Sequence, residues 1–172
     1  MAGSLIKIDE EIVTSAVASV TLTGMSSNYD VYKFIMSDIV PVNDNVHAFL
    51  RFTESGTPNT TSNYDAAYKN LNTTSFSNSG YTNRDNFYLI NNYIGTPTGE
   101  TGQAVCYIFN SQESGEYTFL TQEIVSAGYT YSLWGNQGGG VMTVTSVVDG
   151  LYIYLESGNI ASGTFTLYGL KK

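Results

Sequence analysis

Apolar side chains recur at every second position through most of the chain, the spacing of a pleated strand with one face against a core. In "AVASVTLTG", Val20 and Leu22 share a face with Ala16 and Ala18, opposite Ser19, Thr21 and Thr23. In "VYKFIMSDIV", Tyr32, Phe34 and Met36 oppose Lys33, Ile35 and Ser37. In "HAFLRFTES", Ala48, Leu50 and Phe52 oppose His47, Phe49 and Arg51. The pattern continues in "QAVCYIFN", "EYTFLTQEIV", "GYTYSLWG", "GVMTVTSVV", "GLYIYLES" and "GTFTLYGL". Turn formers separate these runs, among them Gly56-Thr57-Pro58, Gly95-Thr96-Pro97, Asp149-Gly150 and Gly158-Asn159. Such spacing predicts an all-β fold, an antiparallel, jelly-roll-like β-sandwich of about nine or ten strands.

Two stretches resist the pattern. "NYDAAYKNLN" reads as an extended segment, with a turn or two of helix as the alternative. Residues 53–102 are polar and irregular, yet Tyr64, Tyr68, Leu71, Phe76, Phe87, Tyr88, Leu89 and Ile90 recur through them. So many apolar anchors argue for loops of one domain rather than a linker. Gly138-Gly139-Gly140 is expected to form a turn or bulge between two strands, and no Lys-Ser/Thr follows it as a phosphate loop requires. The expected organisation is an N-terminal arm or edge strand over residues 1–15 and a single sandwich domain over 16–172. The closing strand, with Phe165 and Leu167 inward and Tyr168 outward, is expected to pair with "LYIYLES" and leave the domain self-contained at that end.

Charge and composition narrow the function. The net charge is −8, and the seven Lys and Arg are scattered apart from a terminal pair, so nucleic acid is not an expected partner. No apolar run approaches the length of a membrane span, and "MAGSLIKIDEEIV" lacks the form of a signal peptide, which points to synthesis in a cytoplasm. One histidine and one cysteine cannot supply a zinc site. His47 opens a probable strand beside a polar loop and reads as structural, and Cys106 in "QAVCYIFN" reads as a small buried strand residue. The fifteen carboxylates are spread through loops and outward faces as solubilising charge, without the pairing a glycosidase needs. Asn43-Asp44-Asn45 offers hard oxygens for calcium but lacks the spacing of a calcium loop. No catalytic residue, metal site or cofactor is therefore expected.

Tyrosine carries what functional signal there is. Tyr152 and Tyr154 alternate onto one face, and "GYTYSLWGNQ" sets Tyr129, Tyr131 and Trp134 beside Asn136 and Gln137. Rings next to amides are how sugar sites are made, but packing between sheets or at a subunit interface is the expected role of these aromatics. Near the start, Leu5, Ile6, Ile8, Ile12 and Val13 form a candidate docking arm, which either adds to a neighbour or covers its own sheet.

The order of "ASVTLTGMSSNYDVYKFIMSDIVP", "LRFTESGTPNTTSNYDAAYKNL", "TGETGQAVCYIFN", "YTFLTQE", the triple glycine and "SGNIASGTFTLYGLKK" resembles virion proteins of marine tailed bacteriophages, from about Ala18 to Leu170. The resemblance implies a β-sandwich on the outside of a phage particle, as capsid decoration or part of the tail apparatus. With some fifteen residues before the first strand there is no room for a tail-fibre stalk, which favours a capsid decoration (cement) protein. On that reading the chain is non-enzymatic, virion-located and a homo-oligomer, a trimer suiting quasi-threefold lattice positions. Its partners would be other virion proteins, the major capsid protein first. The alternative is a tail-associated receptor- or glycan-binding module.

Overall fold

The computed structural model of the protein describes residues 4–128 and 132–171. Those residues hold no helix; they form strands β1 (Leu5–Val13), β2 (Ser19–Thr23), β3 (Tyr29–Pro41), β4 (Val46–Glu54), β5 (Thr57–Pro58), β6 (Tyr64–Asn72), β7 (Phe76–Arg84), β8 (Phe87–Ile94), β9 (Gly102–Phe109), β10 (Thr118–Gly128), β11 (Ser132–Met142), β12 (Gly150–Leu155) and β13 (Ile160–Lys171). They make an antiparallel β-sandwich. The larger sheet runs β1-β13-β3-β9-β10-β11-β6-β7; the smaller runs β2-β12-β4-β5, with β8 also paired to β4.

The inward positions are those that alternation marks. Tyr32, Phe34 and Met36 of β3, Ala48, Leu50 and Phe52 of β4, and Phe165 and Leu167 of β13 are all fully buried, and Leu151 and Ile153 of β12 face them. Each of the Leu, Ile, Phe and Met side chains among them contributes about 1.5–3 kcal/mol by leaving water. Tyr32 keeps its hydroxyl satisfied at the core's margin by accepting from Ser26 N at 2.6 Å. Cys106 is fully buried between Phe34 and Gln122 in register, and burial pushes its thiol up to about 12.

Three expectations are corrected. Residues 53–102 are not loops: they contribute β5 to β8, which takes the fold to thirteen strands among the described residues. Tyr64, Phe87, Leu89, Ile90 and Ile94 in this stretch are fully buried, whereas β7 is largely exposed on both faces and so shows no alternation. The triple glycine is not a turn but the middle of β11, paired to β10 on one side and β6 on the other. A Cβ at Gly138 would stand 2.3 Å from the Ala67 carbonyl oxygen, and one at Gly140 would stand 2.4 Å from the Phe87 ring. Glycine is there because neighbouring groups lie too close for a side chain. Finally, β13 does not pair with β12. It lies between β1 and β3 in the larger sheet, while β12 lies between β2 and β4 in the smaller one, so residues 156–159 cross between layers.

The first strand lies on its own sheet. It runs antiparallel to β13 from Leu5↔Leu170 to Val13↔Gly163, with a register shift between Lys7 and Asp9. The shift accompanies the packing of Ile8 against the core, and Val13 is buried at the strand's end. Asp9 Oδ2 accepts from Thr23 N at 2.7 Å and ties β1 to β2. Leu5, Ile6 and Ile12 remain exposed along this edge.

Candidate functional site

The stretch around Trp134 does not assemble into one surface. Tyr129 and Tyr131 lie outside the described residues. Of the others, Asn136 faces inward and is buried, while its neighbour Gln137 faces outward. Asn136 Oδ1 accepts from Gln122 Nε2 at 3.0 Å, and its Nδ2 donates to Asn91 Oδ1 at 2.9 Å. Asn91 Nδ2 then donates to Asn70 Oδ1 at 2.9 Å. This chain of amides joins β10, β11, β8 and β6 and leaves Asn136 nothing to offer a ligand. Trp134, half-buried, shares the inward side of β11, and the exposed Gln137 donates to Glu123 Oε1 at 3.0 Å.

The tyrosines at 152 and 154 do belong to a continuous surface. On the outward face of the smaller sheet, β12, β4 and β8 bring Tyr154 opposite Phe49 and Phe49 opposite Tyr88. Ring centroids follow one another at 5.4 Å from Tyr152 to Tyr154, 5.3 Å to Phe49 and 5.0 Å to Tyr88. Tyr88 meets His47 edge-on at 5.2 Å, and His47 stacks on Tyr93 at 4.3 Å. Three strands at about 4.8 Å spacing spread this band over about 10 Å across the sheet. Phe49 is its covered centre, 7% exposed, while Tyr152, Tyr154, Tyr88 and His47 are half-buried and Tyr93 is exposed.

Polar groups stand at fixed points along the band. The Arg51 guanidinium lies 4.7 Å from the Tyr154 ring centre, pairs with the Asp85 carboxylate and donates from Nε to the Asp85 carbonyl at 2.8 Å. Asn86 Nδ2 donates to Asp85 Oδ1 at 2.7 Å and to the Tyr154 hydroxyl at 3.2 Å. Beside Tyr88, Arg84 of β7 lies 4.6 Å from that ring and 5.6 Å from Tyr81, whose hydroxyl accepts from Tyr88 N at 3.1 Å. Burial raises the phenol pKa values of Tyr81 and Tyr154 and lowers that of His47, which favours the uncharged form of each. Rings bounded by fixed donors and acceptors can stack on the apolar faces of a ligand and orient its polar edge.

The outward face of the larger sheet is different. Gly139 leaves a trough of about 510 Å³ beside Phe119, Thr121 and Tyr81, and Tyr107, Thr121, Glu123 and Gln137 border a second of about 460 Å³. Among the described residues its exposed rings, Tyr107 and Phe119, make no ring–ring contact, and Lys33 lies 5.5 Å from the Tyr107 ring. Among the described residues no three His, Cys, Asp or Glu side chains gather where they could hold a metal. Within residues 43–45, Asn43 Nδ2 donates to Ser157 Oγ at 3.3 Å, and Asp44 Oδ1 accepts from Thr96 N at 3.1 Å.

Sequence reasoning saw Tyr152 and Tyr154 but missed Phe49, Tyr88, Tyr93 and Arg84 as their partners. The outward half of "HAFLRFTES" (His47, Phe49, Arg51) was the available signal, because two rings and a cation are unusual on a solvent face.

No family model matches the chain, and no curated protein matches it. Among solved structures the chain is similar to a phage module. That structure is the CBM2 module of the evolved Dit of Lactobacillus casei BL23 phage J-1, at 12% identity and a TM-score of 0.36, over 99% of this chain and 81% of that one.

Proposed function

We infer that the protein is a non-enzymatic binding module of a phage particle, and that its ligand is a glycan met through the aromatic band of the smaller sheet. The observation that supports this most is the continuity of the band: Tyr152, Tyr154, Phe49, Tyr88, His47 and Tyr93 touch in sequence, with Arg51, Asp85 and Asn86 fixed at its side. Stacking supplies contact area, and the polar groups are already held, so little side-chain freedom is lost on binding. The phage setting rests on the strand-and-turn resemblance described above. A polysaccharide panel tests the reading: the wild type should be retained by at least one polymer, and the Tyr152→Ala/Tyr154→Ala variant should not. Equal retention of both proteins would remove the band as the site.

A second reading, capsid decoration, is supported by the exposed Leu5, Ile6 and Ile12 on the open edge of β1. An edge strand with apolar side chains can extend a neighbour's sheet, and a trimer would bring three such edges to one lattice position. Purified protein should then saturate undecorated capsids, and an Ile6→Lys/Ile12→Lys variant should bind them less. Failure of the wild type to bind removes this reading.

A further inference from the structure

The cation stacked on Tyr88 has no anion among the described residues. Arg51 is paired with Asp85 and Lys7 with Glu10, but the Arg84 side chain makes no ion pair or hydrogen bond among the described residues. Its contacts are the Tyr81 and Tyr88 rings, and its Nε is buried without an acceptor. The acids nearest in the chain and the register are occupied: Asp85 by Arg51, and Asp65 by the Asn83 N–H, which donates to its Oδ1 at 2.7 Å. In a chain of net charge −8, a half-buried guanidinium left without a carboxylate stands out. Stacking a guanidinium on rings fixes its plane and leaves its edge of N–H donors to a planar oxyanion. Partial burial strengthens that pairing by thinning the water around it.

We propose that Arg84 anchors a carboxylate of the band's ligand, so that the module selects acidic over neutral saccharides. The inference rests on the band being a glycan platform. Tyr88 links the two: it carries Arg84 at 4.6 Å and lies 5.0 Å from Phe49, so a sugar stacked on the band places an acidic substituent within reach of the guanidinium. His47 adds no second positive charge at pH 7, since burial lowers its pKa.

Two matched pairs of polymers test this: polygalacturonate against its full methyl ester, and carboxymethyl cellulose against cello-oligosaccharides. Binding by wild type, Arg84→Gln, Arg84→Lys and Tyr152→Ala/Tyr154→Ala is measured by calorimetry, with thermal melts to confirm folding. The wild type should prefer the acidic member of at least one pair about tenfold or more. Arg84→Gln should erase the preference, and Arg84→Lys should restore only part of it. Equal wild-type binding of both members, or a preference unchanged in Arg84→Gln, overturns the role of Arg84 and leaves the band standing. Binding of none of the four polymers counts against both the band and the anchor. The matched pairs compare wild type alone, so the test survives a poorly folding variant.

Discussion

The outward faces of the two sheets obey the same alternation and carry different chemistry. On the smaller sheet, β12, β4 and β8 stack rings that touch one another and hold cations between them. On the larger sheet, Tyr107 and Phe119 are exposed and make no ring–ring contact among the described residues, and Val125 and Leu133 line one small hollow with Leu71. Aromatic content alone does not separate the faces. Adjacency does: rings that meet are partly covered, fixed in place and poised to add a ligand, whereas isolated rings are ordinary surface.

The sharpest test of that contrast is stability. Phe49→Ala should cost about 3–5 kcal/mol in a denaturant melt, because Tyr88, Tyr154 and His47 close over the ring. Phe119→Ala, 44% exposed on the other face, should cost under about 1 kcal/mol. Similar costs would mean the band is not packed as described.

Glycine within the larger sheet should behave by position. Gly138→Ala places a Cβ 2.3 Å from the Ala67 carbonyl oxygen, and the backbone shift should cost about 1–3 kcal/mol. At Gly139 the nearest atom is the Leu120 oxygen at 3.0 Å on the trough side, so Gly139→Ala should cost less and partly fill the trough. The reverse order, read by thermal melts, would contradict the register of β11.

Binding should follow the faces too. Tyr154→Ala should weaken retention on a bound polysaccharide about tenfold, equivalent to about 1.4 kcal/mol, and Tyr107→Ala should leave it unchanged. A loss confined to Tyr107→Ala would move the site to the larger sheet.

The smallest effect concerns pH. The His47 pKa is lowered in the folded protein, so the folded state disfavours the proton and the stabilising contribution is present above the unfolded value near 6.5. It should be lost as pH falls below that value. His47→Phe keeps a ring between Tyr88 and Tyr93 without a titrating group, and its melting temperature should drop less between pH 7 and pH 5 (assay values of about two units' span) than that of the wild type. Parallel drops in the two proteins would show that other groups govern acid sensitivity.

Much of this was legible in the residues. Tyr32, Phe34 and Met36, or Ala48, Leu50 and Phe52, announce their burial because each strand has one core face and a period of two. β7 was illegible for the opposite reason: an edge strand exposed on both faces has nothing to alternate. Gly138 to Gly140 misled because glycine serves turns and close strand approach alike, and only the neighbours tell which. At the site, the amides of "WGNQ" were visible, yet Asn136 meets Gln122 and Gln137 meets Glu123, each fourteen residues away, rather than a ligand.

Strand positions and inward faces follow from local alternation, since burial of one side chain in two is a property of a short segment. Which strands become neighbours is not local. Whether β13 meets β12 or β3, and whether Tyr154 meets Phe49, depends on how strands far apart in the chain satisfy their backbone hydrogen bonds and close a shared core. The aromatic band and the Arg84 stacked on Tyr81 and Tyr88 belong to that second kind of fact, because each arises from residues that come together only when the sheets pair and pack.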